Sequence, residues 1–505
     1  VGLDISAVEF DKKVRAPGTA EPDGTLLFED GSTRDKAELG DHPSSTGATP
    51  DPAVLAAVQG LLSICAPALP AHTDDWERRL LADPNLLGDI AFAIGGPFHV
   101  MYPSRVAVNI NGFQRAFERA GVDGSIYYGK KANKAACVAR ACAEYGAGVD
   151  VSSIGELNAA LSQGVRGGEL MVTGPAKSDD LLWLAVRHRA LIAVDSLDEL
   201  DRLAACTPAA AARVLLRVLP KGSASRFGMT ATELDRAISV IGASGTVGHE
   251  SIRLHGFSFH LSGYDAVARA EQADELINRC LDARTLGHPA TTISIGGGFG
   301  VDYVPASAWS EFTEHANGRW FYAGKSFDSY YPYHFPAPGP AMLTAILEHN
   351  ALAQRLRDND FRLAIEPGRA LLDRAGSSVF RVQGAKTRHA DGHRYQLLTV
   401  DGTSLSLSEQ WFDSEYLPDP ILWPSHPGEL TPTCVGAASC LESDMLSWRR
   451  IPLPRRAEVG DLLIYPNTAG YQMDSNESAF HELPIPPKVV LHDTGDRLRW
   501  TLDAG

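Results

Sequence analysis

Tyr128-Gly129-Lys130-Lys131-Ala132-Asn133 decides how this chain reads. A short β-rich run over 126–130 ends at a lysine pair, and a helical pattern over 134–145 follows. An amine between strand and helix sits at the mouth of a β/α layer, where it can form a Schiff base with a carbonyl. Taken alone, the hexapeptide fits two solvated surface lysines better. Its weight comes from its surroundings.

Working outward, seven further β-rich runs occupy 148–152, 169–173, 191–195, 213–218, 254–260, 292–296 and 362–366. Amphipathic helical patterns at 154–163, 178–187, 197–205, 231–241, 264–283 and 341–357 separate most of them. Eight strand–helix units in about 250 residues predict a (β/α)8 TIM-like barrel. An open doubly wound sheet is the competing arrangement, and the strand count favours the barrel.

After Ala375 the runs 377–382, 395–400, 461–465, 488–492 and 498–502 predict a C-terminal β-sandwich or β-barrel domain, joined by the apolar run 98–102. The expected organisation is an N-terminal extension, partly flexible, over 1–96, a barrel domain over 97–375 and a β domain over 376–505. Helices are expected at 51–66 and 74–82, and residues 40–47 read as a linker. Residues 309–340 break the βα pattern and are rich in aromatic side chains, which suits either a lid over the barrel or a satellite hydrophobic cluster.

The 505 residues are 44% hydrophobic and 21% charged, the balance of a soluble globular protein. No apolar run approaches the ~20 residues that cross a bilayer, so no membrane partner is expected. The formal charge of −16 and the lack of a basic stripe argue against nucleic acid. Seven scattered cysteines without a Cys-x-x-Cys pair fit a cytoplasmic protein with neither a disulfide framework nor a metal site.

Four groups of complementary chemistry fall at the C-terminal ends of barrel strands, the face where such barrels act. Lys131 follows strand one. His260, in Gly256-Phe257-Ser258-Phe259-His260, ends strand six. Gly296-Gly297-Gly298-Phe299-Gly300 follows strand seven, and its backbone N–H groups can approach a phosphate without Cβ interference. It lacks the signatures of nucleoside-triphosphate and dinucleotide loops. Glu366, in Glu366-Pro367-Gly368-Arg369, ends strand eight and needs a partner there: a pyridine nitrogen, or an arginine such as Arg369. An amine, a ring-stacking imidazole, a phosphate loop and this acid are what pyridoxal 5′-phosphate (PLP) requires. Burial and a neighbouring charge, with Lys130 the candidate, would depress the Lys131 pKa and free its amine near neutral pH. Arg369 would contact phosphate or a substrate carboxylate. Cys440 suits a general acid or a buried thiol, and Tyr471 suits a phosphate donor or a packing residue.

With these segments in place, the chain resembles the fold-type III PLP-dependent decarboxylases, the diaminopimelate/ornithine/arginine decarboxylase family. The likeness includes Gly148-Val149-Asp150-Val151-Ser152-Ser153-Ile154-Gly155-Glu156-Leu157, Ser225-Arg226-Phe227-Gly228-Met229, Cys440-Leu441-Glu442-Ser443-Asp444 and Gly460-Asp461-Leu462-Leu463. It implies a head-to-tail homodimer with shared sites. Lys131 would hold PLP, His260 stack on its ring and Glu366 pair with its nitrogen. Gly297, Gly298, Arg369 and Tyr471 would hold phosphate, and Cys440 would enter the partner's site to protonate the carbanion. Several positions depart from the family pattern. Leu261-Ser262-Gly263 replaces Gly-Ser, which shifts the hydroxyl contact of Ser262. Leu441 separates Cys440 from Glu442. The segment from Asp401 lacks the arginine that would read a distal carboxylate. Asp401, Glu442, Asp444 and Arg369 are the expected substrate contacts. These changes point away from the family's usual substrates, toward a modified or conjugated amino acid. The resemblance implies α-decarboxylation. An amino-acid racemase of this fold, or a non-catalytic PLP-binding homologue, is the alternative, and Glu366, Lys131 and Cys440 together argue against both.

Overall fold

Strands that carry apolar side chains on both faces must be covered on both sides, and helices with one apolar face supply the cover. In the computed structural model of the protein, which describes residues 63–206, 211–242, 249–409 and 414–504, that requirement produces a closed barrel. A lead strand, β1 (Phe98–Met101), precedes it. The barrel staves are β2 (Asp123–Gly129), β3 (Gly148–Val151), β4 (Leu170–Val172), β5 (Leu191–Val194), β6 (Ala212–Arg217), β7 (Ile252–Ser258), β8 (Thr292–Ser294) and β9 (Arg362–Ile365). All are parallel, and β9 closes on β2 with Arg362 opposite Asp123. All eight expected strands are present. Tyr127, Met171, Leu191, Ala193, Leu215 and Ala364 pack into a buried layer between the staves. The barrel is therefore a filled core, with polar groups left for its C-terminal mouth.

Gly256 shows how tightly the staves meet. At φ +146° it lies where a Cβ would fall 1.8 Å from the Thr292 carbonyl oxygen, so only glycine fits.

The C-terminal strands form a nine-stranded mixed sheet. β1 pairs antiparallel with β10 (Gly376–Ala390) and parallel with β16 (Lys488–Asp493). The sheet also contains β11 (His393–Val400), β12 (Ile421–Trp423), β13 (Thr431–Gly436), β14 (Met445–Leu453), β15 (Leu462–Tyr465) and β17 (Leu498–Leu502). The sequence reading lacks β12, β13 and β14. In β14, Arg449 and Arg450 interrupt the apolar alternation, yet both are buried. Arg449 pairs with Glu415 at 3.1 Å and with Asp419 at 2.6 Å, and Arg450 donates to the carbonyls of Ile64 and Phe321.

Helices Asp75–Ala82 and Leu86–Ile94 place Trp76, Leu80, Leu87 and Ile90 against Phe98, Val379, Ile464 and Leu491, so this part of the extension is a layer of the β domain. Most of the helix expected over 51–66, and the linker at 40–47, lie outside the described residues. The single helix expected over 341–357 is two, Pro340–Glu348 and Leu352–Asp358. The chain breaks where Asn350 (φ 45°) and Ala351 (φ 56°) turn left-handed. The aromatic region packs as a cluster: Phe312, Phe321 and Tyr333 are buried with Phe380, Tyr416 and Trp448 of the β domain.

The helix after Lys131 begins at Ala136, later than expected, because Asn133 (ψ 133°) and Ala135 (ψ 134°) hold non-helical backbone. Asp503 takes hydrogen bonds from the amides of Ala136 (2.7 Å) and Cys137 (2.9 Å). A carboxylate there satisfies orphan donors and complements the positive end of the helix. Replacing Asp503 with Ala should cost about 1 kcal/mol in urea unfolding, as loss of a helix cap does. An unchanged midpoint would show that water replaces the carboxylate without cost.

Candidate active site

The Lys131 turn is held from the far end of the chain. Lys130–Ala132 form one 3-10 turn after β2. The Ala132 carbonyl accepts from the amide of Tyr471 at 2.8 Å. The Asn133 side chain donates to the Ala469 carbonyl at 2.8 Å and accepts from the Ala135 amide at 2.8 Å. The Lys134 amide donates to Asp474 at 2.5 Å, and Asp474 is in turn paired with Lys488 at 2.6 Å. Tyr471 adopts φ +75°, a strained angle for a residue with a side chain. That strain accompanies a close approach: a Cβ at Gly368 would lie 2.7 Å from the Tyr471 hydroxyl.

The two lysines separate cleanly. Lys130 is buried and donates to the Lys134 carbonyl at 3.0 Å, away from the mouth. Lys131 is accessible at the mouth and faces Asp150, Tyr471 and Glu366. Its pKa does not fall as expected. Desolvation favours the neutral amine, but Asp150, Tyr471 and Glu366 together outweigh it, and the pKa stands above the ordinary lysine value. The expectation erred by counting Lys130 as the neighbouring charge when the neighbours are acids.

Those acids are themselves displaced. Asp150, at the end of β3, is buried and accepts from the Thr173 hydroxyl at 2.7 Å. Burial, then repulsion from Glu366, pushes its pKa well above the carboxylate range. Glu366 accepts from the Ser294 hydroxyl at 2.5 Å, and burial raises its pKa too. Its partner is therefore not Arg369.

His260 lies beside the glycine loop, and the Gly297 amide donates to its Nδ1 at 3.3 Å. Burial, reinforced by Lys131, Arg217 and Arg269, pushes its pKa down to about 3. The ring is neutral, with its proton on Nε2.

The glycine loop closes onto strand nine: a Cβ at Gly297 would come within 2.8 Å of the Glu366 carbonyl oxygen. Gly298, at φ +82°, would place one 2.0 Å from Arg269 Nη2. These glycines, with Gly368 under the Tyr471 hydroxyl, let the loop pack in close contact and present backbone in place of side chains, which suits a phosphate. PLP fits this residue set, with Lys131 to hold it, His260 beside the ring and Glu366 for the nitrogen.

Other expected contacts are placed differently. Arg369 is buried and donates to the Gly470 carbonyl (2.7 Å), to Gln472 (3.0 Å) and to Glu409. Its guanidinium also lies over the rings of Tyr331 (4.2 Å) and Tyr471 (4.9 Å). In this structure its donors are taken up by protein acceptors, with Glu409 supplying the anion. Asp401 accepts from the Arg381 amide at 2.8 Å and Asp444 from the Ser404 amide at 2.8 Å. Both carboxylates are buried and bind main chain in the β domain. Cys440 and Glu442 are exposed between β13 and β14. Ser262 is exposed beside the glycine loop.

Sequence reasoning missed Asp150, Arg217, Arg269 and Glu409. Asp150 carries the signal used for Glu366, an acid ending an apolar strand. Arg217 pairs with Asp195 at 3.3 Å and lies over Phe227 at 4.4 Å. Tyr331, from the aromatic region, meets the Tyr264 hydroxyl at 2.8 Å and so joins that region to the mouth.

Fold and site together define a PLP-dependent barrel enzyme. Comparison with known proteins agrees. A family model described as "Pyridoxal-dependent decarboxylase, pyridoxal binding domain" matches residues 105–328. The uncharacterized protein y4yA of Sinorhizobium fredii is 36% identical over 82% of this chain and 91% of its own length. Diaminopimelate decarboxylase of Actinosynnema pretiosum is 26% identical over 80% of this chain and 86% of its own length. Among solved structures, diaminopimelate decarboxylase of Helicobacter pylori complexed with L-lysine shares the fold with TM-score 0.63 at 19% identity, covering 83% and 97% of the two chains. Lysine decarboxylase of Selenomonas ruminantium does so with TM-score 0.61 at 22% identity, covering 82% and 97%. The chain belongs to the fold-type III PLP-dependent decarboxylases, a family of amino-acid carboxy-lyases. Among the described residues no helix is long and apolar enough to cross a membrane.

The raised pKa of Asp150 has a measurable consequence. A carboxyl whose folded pKa exceeds its unfolded value stabilises the fold at low pH and loses that contribution as pH rises. Without cofactor, Asp150→Asn should therefore melt higher than wild type at pH 8, with the gap closing as pH falls toward the unfolded carboxylate value of about 3.9. A constant gap from pH 4 to 8 in scanning calorimetry would refute the burial of an ionisable acid there.

Proposed function

We propose that Lys131, His260, Glu366 and the Gly296–Gly298 loop form the PLP site of an amino-acid α-decarboxylase whose substrate departs from the family's usual ones. Their convergence at one barrel mouth carries this reading. When bound, PLP supplies the electron sink for the pair left behind as the α-carboxylate departs. Glu366, held by Ser294, offers its carboxyl to the ring nitrogen. Neutral His260 packs without adding charge. Asp150 and Glu366, both with raised pKa values, can accept the proton that Lys131 must shed to become a nucleophile.

The general acid comes from a second copy of the chain. The turn bearing Cys440, Leu441 and Glu442 is exposed, and Asp444 fixes its base through the Ser404 amide. Such a turn suits insertion into a partner's mouth, giving a homodimer with shared sites. Glu409 on Arg369, and Arg217 paired with Asp195, leave those two arginines engaged, which disfavours a substrate with a distal carboxylate. Seven free cysteines, most of them buried, suit a reducing cytoplasm.

The purified protein should be yellow, and borohydride should bleach it and fix the label on Lys131. A colourless protein that takes up no PLP would sink the reading. Carbon dioxide release from a panel of amino acids, including modified and distal-amine side chains, then identifies the substrate class. Mixing Lys131→Ala with Cys440→Ala protein should restore activity that neither variant has alone. Failure of the mixture would exclude a shared site.

A further inference from the structure

Arg269 lies in the apolar stripe of helix Ala266–Thr285 with Ala273, Leu276 and Cys280, and its relative exposure is 0%. A guanidinium there needs a compensating anion or a full set of acceptors. Each of its four hydrogen bonds ends on a main-chain carbonyl: Leu261 (2.9 Å) and Gly263 (2.6 Å) through Nη2, Asp265 (3.0 Å) through Nη1, and Gly297 (3.2 Å) through Nε. The nearby Asp265 carboxylate is turned to the Ala268 amide at 3.0 Å as the helix cap. Burial pulls the Arg269 pKa down to about 10, the sign of a charge poorly repaid by its surroundings.

These contacts also fix what faces the other way. In a planar trans peptide the C=O and the following N–H point in opposite directions. Carbonyls of Leu261, Gly263 and Gly297 that converge on Arg269 therefore turn the amides of Ser262, Tyr264 and Gly298 away from it. None of these three amides donates to a protein acceptor among the described residues. Two lie in the loop after β7 that carries His260 and one in the glycine loop after β8, and outward, unpaired N–H groups of this kind are donors for an anion. Gly298 must lack a Cβ because Arg269 stands directly behind it.

We propose that Arg269 is a positioning residue for the cofactor phosphate: it gathers the Leu261–Gly263 turn and the glycine loop into one hollow and places its charge behind that hollow. This rests on the PLP reading above. It also explains how the chain keeps a phosphate site although Leu261-Ser262-Gly263 replaces the expected order and Arg369 is held by Glu409. The phosphate would meet backbone amides in front and a guanidinium at the rear.

The test compares PLP with pyridoxal, which lacks the phosphate, by absorbance titration of the protein stripped of cofactor. Arg269→Gln should weaken PLP roughly tenfold or more while leaving pyridoxal almost unchanged, as loss of one buried charge partner does. Arg269→Lys should recover part of the loss. Equal weakening of both ligands would mean that Arg269 only holds the fold, and no weakening of either would also overturn the proposal. Should Arg269→Gln fail to fold, phosphorus NMR of the wild-type holoprotein decides. The bound phosphate should stay dianionic below its ordinary second pKa of about 6, and a free-solution titration curve would refute a charged hollow. If wild type binds neither ligand, the PLP reading itself has failed.

Discussion

The hydrogen bond from the Tyr471 amide to the Ala132 carbonyl ties the reactive lysine to a segment more than three hundred residues downstream. Around it, Asn133 reaches Ala469, Lys134 reaches Asp474, and Asp503 caps the helix that begins at Ala136. The barrel alone offers Lys131 a three-residue turn, which is a weak support. The β domain makes that turn rigid by satisfying its polar groups, in part with the buried Ala469 and Asp474. Precise placement of a nucleophile requires this kind of outer support, and here the support and the nucleophile belong to different layers of one chain.

Charge at the mouth is arranged by the same economy of partners. Acids and bases crowd a small volume, and each basic group except Lys131 already has protein acceptors: Asp195 for Arg217, Glu409 for Arg369, four carbonyls for Arg269. Asp150 and Glu366 lack a guanidinium of their own, so they lean on Lys131 and on the hydroxyls of Thr173 and Ser294. The ammonium of Lys131 is thus stabilised without cofactor. A group that neutralises Lys131 must also rearrange the protonation of two buried carboxyls, which couples cofactor uptake to proton movement.

The barrel was legible because its physics is local. Strand and helix periods alternate within tens of residues, and Lys131, His260, Gly297 and Glu366 fall at strand ends that periodicity locates. What stayed hidden was nonlocal. Strand β14 reads as broken by Arg449 and Arg450, whose burial depends on Glu415, Asp419 and the carbonyls of residues elsewhere in the chain. The capture of Arg369 by Glu409, and the inward turn of Asp401 and Asp444, depend on contacts between segments that no spacing reveals. Lys130 and Lys131 are adjacent in sequence, yet only the fold shows that one faces main chain and the other faces two acids.

Strand β1 carries a consequence for synthesis. It is made before the barrel, yet it lies between β10 and β16, both made after the barrel. At ~5–20 residues per second, its first partner emerges on the order of tens of seconds later. Through that interval Phe98 and Val100 have only the preceding helices to cover them, while the barrel between has every stave it needs. The chain therefore completes its catalytic barrel as an insertion inside a sheet that is still unfinished, and the lysine turn becomes rigid only when the last strands arrive to close both.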